Sequence, residues 1–293
     1  MVFTLSLIKR LLLIVLIPAT VLSAQDDPVS RSWNQPLEPF RVAGNVYYVG
    51  ASDITSFLIT SPSGHILIDG GFKETAGQIR RNIAKLGFRE TDVRVLLNSH
   101  AHMDHAGGLA ELKTATGARL LASAEDIPLL ARGGLDDPQF GDRLPFPRVY
   151  ADGIVTNNEK VRIGDAVLTA HLTPGHTRGC TTWSTTVRDD ESRLDIIFLC
   201  SMSVPSEYRL ISNPRYPEAV EDYRKHFRFL RSITPDIYLA SHGNFFRLSE
   251  KMKRMSSDRQ NPFVDPVGYA QLVSPMEKRF ESAVIEQTAS RPD

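Results

Sequence analysis

At 293 residues, with Lys plus Arg and Asp plus Glu balanced at 34 each, the chain has a formal net charge of +0. No overall field draws it to nucleic acid or to an acidic membrane surface, which argues against a nuclease acting on long RNA. Hydrophobic and charged fractions of 42% and 23% are those of a globular protein able to bury a sizeable core.

Lys9 and Arg10 precede an apolar run from Leu11 to Leu22, and the small residues Ser23 and Ala24 follow. This is the pattern of a secretory signal peptide, so residues 1–24 are expected to be removed, after Ser23 or Ala24, leaving 25–293 as one domain. The run is short for a membrane span, and no membrane anchoring is expected after cleavage. The mature chain is therefore expected to be secreted, and periplasmic in a host with an outer membrane.

Strand-like runs follow at Val46–Val49, Ser56–Thr60 and His65–Ile68, separated by the turn residues Gly50, Pro62 and Gly64. Ala76, Ile79, Ile83 and Leu86 recur at helical spacing, with Gly87 as a stop. Val93–Leu97 reads as a buried strand, followed by a helix near Leu109–Ala115, a strand at Arg119–Ala122 and a helix at Ala124–Leu130. Gly133–Val149 is a loop containing Phe140 and Phe146. A second strand-rich block covers Lys160–Ile163, Val167–Leu172, Thr181–Val187 and Ile196–Leu199. An amphipathic helix marked by Val220, Tyr223, Phe227 and Leu230, a strand at Asp236–Ser241 and closing helices complete the chain. Strands then helices, twice over, predict an α/β protein: a four-layered αββα sandwich with two mixed sheets inside and helices on the outer faces. Cys180 and Cys200, the only cysteines, lie in segments of strand character. A disulfide and two free thiols both remain open, because the Cα separation decides between them.

One stretch is dense in metal-binding chemistry: Asn98-Ser99-His100-Ala101-His102-Met103-Asp104-His105-Ala106-Gly107-Gly108. In an extended segment His100 and His102 point to one side, and a bend after His102 turns Asp104 and His105 towards a second point. His176, in Thr173-Pro174-Gly175-His176, and His242, after the strand ending at Ser241, sit where strands run into loops. His171 reads as an ordinary strand residue, His226 as a solvated helix residue and His65 as a surface turn residue. Six ligands are too many for one zinc, which takes four partners and keeps one open when catalytic. Split in two, His100, His102 and His176 form one triplet, and Asp104, His105 and His242 the other. Nitrogen-rich ligation suits Zn2+, two ions per chain, and a pair of ions can share and activate a water for hydrolysis.

The His-x-His-x-Asp-His stretch with Gly107 and Gly108, the strand end Asp69-Gly70-Gly71, His176 after a Pro-Gly turn, and His242 resemble the metallo-β-lactamase superfamily. Where many of its hydrolases carry a bridging aspartate, this chain reads Leu199-Cys200-Ser201-Met202-Ser203, and Ser201 stands where other class B β-lactamases have a metal-binding cysteine. With His105 present, that combination is similar to the third subclass of class B. Trp33-Asn34-Gln35-Pro36 and Asn213-Pro214-Arg215-Tyr216-Pro217 agree with that resemblance. It implies a zinc-dependent β-lactamase that opens the amide of penicillins, cephalosporins or carbapenems with a hydroxide shared by the zincs, and so confers antibiotic resistance. It implies a small-molecule substrate, no nucleic-acid partner and a monomer. Ser201 and Ser203 would hold the substrate carboxylate, and the catalytic residues would be Asp104 and Tyr208, the latter near the lactam carbonyl as an oxyanion partner. Asp69 would orient a ligand histidine, and Trp33, Phe140 and Phe146 would form an apolar lip. The alternatives are the same scaffold hydrolysing another ester, lactone or thioester, and a zinc-binding protein without turnover; for the ligand set, Cys200 as a ligand, one residue out of register, competes with the Ser201 reading.

Overall fold

The computed structural model describes residues 28–290, so the expected signal peptide lies outside the described residues. A short helix, α1 (Pro28–Trp33), leads into a seven-stranded sheet. Its strands, in spatial order, are β1 (Phe40–Ala43), β2 (Val46–Tyr48), β3 (Phe57–Ile59), β4 (His65–Ile68), β5 (Val93–Leu97), β6 (Arg119–Ser123) and β7 (Gly153–Val155). Strands β1 to β4 pair antiparallel through short turns, whereas β4 to β7 are parallel and need crossovers. Helices α2 (Thr75–Lys85), α4 (Leu109–Thr116) and α5 (Ile127–Arg132) lie in those crossovers, with the single turn α3 (Met103–Ala106) ahead of α4. The second sheet runs β12 (Ile237–Ala240), β11 (Ser192–Leu199), β10 (Thr181–Asp189), β9 (Ala166–Leu172), β8 (Lys160–Ile163). Only β12 is parallel to its neighbour, reached through α6 (Ala219–Arg231); α7 (Leu248–Arg254) and α8 (Pro266–Ala289) follow.

The strand alternation shows why two layers form. Phe57, Ile59, Ile66, Ile68 and Leu97 point to one face and pack in a cluster with Leu168, Trp183 and Phe198 of the second sheet. Between them, Leu58, Leu67 and Leu96 point the other way, onto Ile79, Ile83 and Leu112 of the helices. Strands buried on both faces have no polar side to give away. The expected sandwich, two mixed sheets clad in helices, is the observed one.

Departures from the sequence reading are local. The helix expected from Ala124 begins at Ile127, with Pro128 in its first turn, where a missing N–H costs nothing. The short elements α1 and β7 carry too little periodicity to have been anticipated. His65 is not a surface turn residue: it lies in β4, buried edge-on against Phe88 at 5.0 Å. His171 is an ordinary strand residue, with Nε2 2.8 Å from Ser184 Oγ and its ring stacked on Phe229. Cys180, just ahead of β10, and Cys200, just beyond β11, form a disulfide with a Cα separation of 5.9 Å. That excludes Cys200 as a metal ligand while the bridge stands.

His226 overturns the expectation of a solvated residue. It is 1% exposed on the inner face of α6, and neither ring nitrogen has a hydrogen-bond partner among the described residues. Burial pushes the imidazole down to about 3. An unfolded chain takes up a proton near 6.5 that the folded chain refuses until about 3, so stability falls as pH drops through that window. The slope from this one group is at most about 1.4 kcal/mol per pH unit. In urea unfolding, the loss of stability between pH 7 and pH 5 is expected to be about 2 kcal/mol smaller in His226→Leu than in the parent chain. Equal losses in the two proteins would show that the folded chain takes up this proton as readily as the unfolded one.

Candidate metal centre

The ligand stretch begins where β5 ends. His102 is extended at φ −99°, ψ 157°, and α3 starts at the next residue, which swings Asp104 and His105 away from His100 and His102 as the spacing predicted. Gly107 and Gly108 then let the chain press against the β4 exit. A Cβ on Gly107 would stand 2.7 Å from the Lys73 nitrogen, and one on Gly108 would collide with the Gly70 carbonyl. His176 is delivered by the β9–β10 turn and His242 by the end of β12, so both sheets supply the site.

The imidazoles converge. His102 Nδ1 lies 3.1 Å from His176 Nε2, and His100 presents a ring nitrogen within 4.8 Å of both. Asp104 Oδ2 lies 3.2 Å from His105 Nε2 and 3.3 Å from His242 Nε2. Zinc–nitrogen bonds of about 2.0–2.1 Å at tetrahedral angles place neighbouring donor atoms ~3.3 Å apart. All three contacts fall close to that edge length. His105 Nε2, the ring nitrogen that faces Asp104, is buried without a hydrogen bond among the described residues, which is costly unless a cation occupies the centre. The residues fit a metal: the donors of His100, His102 and His176 lie within 4.8 Å of one another, as do those of His100, Asp104 and His105, and His242 joins through its contact with Asp104.

Behind the triplets, a polar group faces the other nitrogen of each ligand ring. His100 Nδ1 faces Ser99 Oγ at 3.0 Å, His176 Nδ1 faces the Ser203 carbonyl at 3.0 Å, and His242 Nδ1 faces Asp53 Oδ2 at 2.9 Å. Asp69 Oδ2 is 3.8 Å from His105 Nδ1, and Asp137 Oδ2 is 3.6 Å from His102 Nε2. Asp69 thus takes the orienting position that the resemblance implied; its other oxygen accepts from the Ser99 N–H at 2.7 Å. Asp53 and Asp137 were not singled out from the sequence. Asp126 was missed too: it accepts hydrogen bonds from the Ala101 and Gly179 N–H groups and so joins the His100–His102 segment to the His176 turn.

Electrostatics suit cation binding. Burial and the neighbouring imidazoles hold His100 well below its usual range, and burial does the same to His176, so both keep a free lone pair at neutral pH. Burial raises the Asp104 carboxyl, but His105 and His242 outweigh it and hold Asp104 well below the usual carboxylate range. Burial likewise opposes a proton on His242, yet Asp104 and Asp53 lift it to about 9. The carboxylates demand a positive charge there, from a proton or from a metal ion.

A cleft of about 520 Å³ opens over these atoms, walled by Trp33, Phe72, Phe140, Leu144, Ser203 and Pro205. Trp33 meets His242 edge-on at 5.2 Å and Phe140 meets His102 at 5.3 Å, so both belong to the apolar lip. Phe146 does not; it is packed in the core under the helices. Ser203 reaches the cleft, whereas Ser201 is buried beneath it, 2.9 Å from the Ser203 hydroxyl. Tyr208 is misplaced for an oxyanion partner. It is buried, its hydroxyl donates to the His176 carbonyl at 3.0 Å, and its ring stacks on the His176 imidazole. It braces a ligand instead of facing substrate.

The family model described as "Metallo-beta-lactamase superfamily" matches residues 49–242, a span that contains every proposed ligand. The chain belongs to the metallo-beta-lactamase superfamily. Among solved structures it is similar to a metallo-beta-lactamase of Cronobacter sakazakii with a HARLDQ motif, at 42% identity and TM-score 0.85, covering 89% of this chain and 100% of that one. The corresponding run here reads HAHMDH, from His100 to His105. It is also similar to BJP-1, a subclass B3 metallo-beta-lactamase of Bradyrhizobium japonicum, at 38% identity and TM-score 0.82, covering 88% and 97%. Among curated relatives, a hydroxyacylglutathione hydrolase of a Methylobacterium species is 28% identical over 187 residues, 64% of this chain. The chain spans 61% of that relative's length and less of others.

Proposed function

We propose that the chain is a dizinc β-lactamase, secreted to the periplasm, that opens the amide of penicillins, cephalosporins or carbapenems and so confers antibiotic resistance. The observation that carries this reading is the pair of triplets, His100–His102–His176 and Asp104–His105–His242, meeting under one apolar-walled cleft. Zinc held there supplies a Lewis acid and a water acidic enough to ionise near neutral pH. The chain's own residues do the rest. Asp53, Asp69 and Asp137 keep the ligand rings in register. Trp33, Phe72 and Phe140 take up the apolar body of the substrate and keep bulk water off it. Ser203, with Ser201 hydrogen-bonded behind it, offers its hydroxyl to the substrate carboxylate.

Identity supports the β-lactam reading over its alternatives, since the similarity to β-lactamases covers nearly the whole chain and that to thioester hydrolases only part of it. A disulfide agrees with an exported protein. A small-molecule substrate and a single-chain enzyme complete the proposal. The test is a panel of a cephalosporin, a carbapenem, an acyl-homoserine lactone and a glutathione thioester, each given to zinc-loaded protein with and without chelator. Chelator-sensitive hydrolysis of both β-lactams is expected. Rapid lactone or thioester turnover with no β-lactam turnover would overturn the proposal in favour of the other hydrolase reading.

A further inference from the structure

We propose that Cys180, Cys200 and His100 form a second, redox-gated metal site, closed by the disulfide and opened by its reduction. Their ligand atoms all lie within 4.8 Å of one another, with Cys200 Sγ 3.6 Å from His100 Nδ1. The Ser99 carbonyl, 3.3 Å from Cys200 Sγ, completes a buried set of donors on the side of His100 that faces away from the triplets. While the bridge stands, neither sulfur can ligate. Reduction by a phosphine breaks the S–S bond, oxidises the phosphine to its oxide with oxygen from water, and leaves two thiols. A divalent ion then displaces both thiol protons, and two thiolates with an imidazole are a soft set that favours zinc or cobalt.

His100 makes this site a rival of the cleft. A neutral imidazole has one proton and one lone pair. With Nδ1 turned to Ser99 Oγ at 3.0 Å, Nε2 is free for the three-histidine triplet; with Nδ1 given to a metal, Nε2 must carry the proton. One imidazole therefore serves one ion, and the disulfide reserves His100 for the cleft. This rests on reading His100 as a ligand of the three-histidine triplet.

The experiment compares cobalt titrations of metal-free full-length protein in its oxidised form and after reduction by phosphine in mild denaturant and refolding. A thiolate-to-cobalt charge-transfer band in the near ultraviolet is expected from the first equivalent in the reduced protein and at no point in the oxidised one. The band is expected to be lost in Cys180→Ala/Cys200→Ala, which keeps its β-lactam turnover. Should the reduced chain not refold, Cys180→Ala alone leaves the Cys200 thiol facing His100 under oxidising conditions and is expected to show a weaker band. Cobalt binding without any such band, in the reduced protein or in Cys180→Ala, would overturn the proposal. The band reports sulfur ligation whatever the substrate, so its failure is separable from a failure of the β-lactam reading.

Discussion

On the proposed dizinc β-lactamase reading, Asp104→Asn is expected to lower zinc content from two ions per chain towards one and to cut β-lactam turnover by at least about a hundredfold, the upper end of what losing even an outer partner of a metal costs. The reason is that a single oxygen, Asp104 Oδ2, faces both His105 Nε2 and His242 Nε2. An amide keeps the shape and loses the charge, so the two rings no longer face an anion that would help them hold a metal ion. Metal analysis after equilibrium dialysis, alongside steady-state kinetics, reads both effects. Unchanged zinc content and unchanged rate together would refute the assignment of this triplet.

The second large effect concerns stability. Trp183 is fully buried between the sheets, opposite Phe198 on β11, and its indole N–H donates to the Asn98 carbonyl at 3.3 Å. Trp183→Ala is expected to cost about 3–5 kcal/mol in urea unfolding, the usual range for emptying a large aromatic site that cannot collapse. That is a large part of a total of about 5–15 kcal/mol. Trp183→Phe, which keeps most of the volume and gives up one hydrogen bond, is expected to lie much nearer the parent. A loss below about 1 kcal/mol for the alanine variant would mean that the sheets close over the gap.

What could be read from the sequence was what depends on near neighbours. The i, i+2 pair His100 and His102, the bend at Met103 and the helical recurrence of Ala76, Ile79 and Ile83 all follow from local geometry, and all are present. His176 and His242 were found because strand ends are legible. The orienting carboxylates were not, because they act across the chain: Asp53 meets His242 over a separation of 189 residues, and nothing around it in the sequence marks it as a partner. Burial misled in the same way. His226 lies between charged neighbours on α6, yet the helix turns it inward against the sandwich, where packing rather than polarity decides. Tyr208 had the right chemistry for an oxyanion partner and the wrong direction, since its hydroxyl is already committed to the His176 backbone.

Because the ligands come from both sheets, their order along the chain carries a consequence for biosynthesis. Asn98 to His105 emerges first, His176 only after the first sheet is complete, and His242 with the last strand. A chain made N-terminus first therefore exposes four coordinating groups long before the pocket that closes around them exists. The final strand is thus a loading gate: until β12 docks beside β11 and brings His242 to Asp104, the second triplet is incomplete. Filling of the second triplet would then be a late event of maturation, waiting on the last strand of the second sheet.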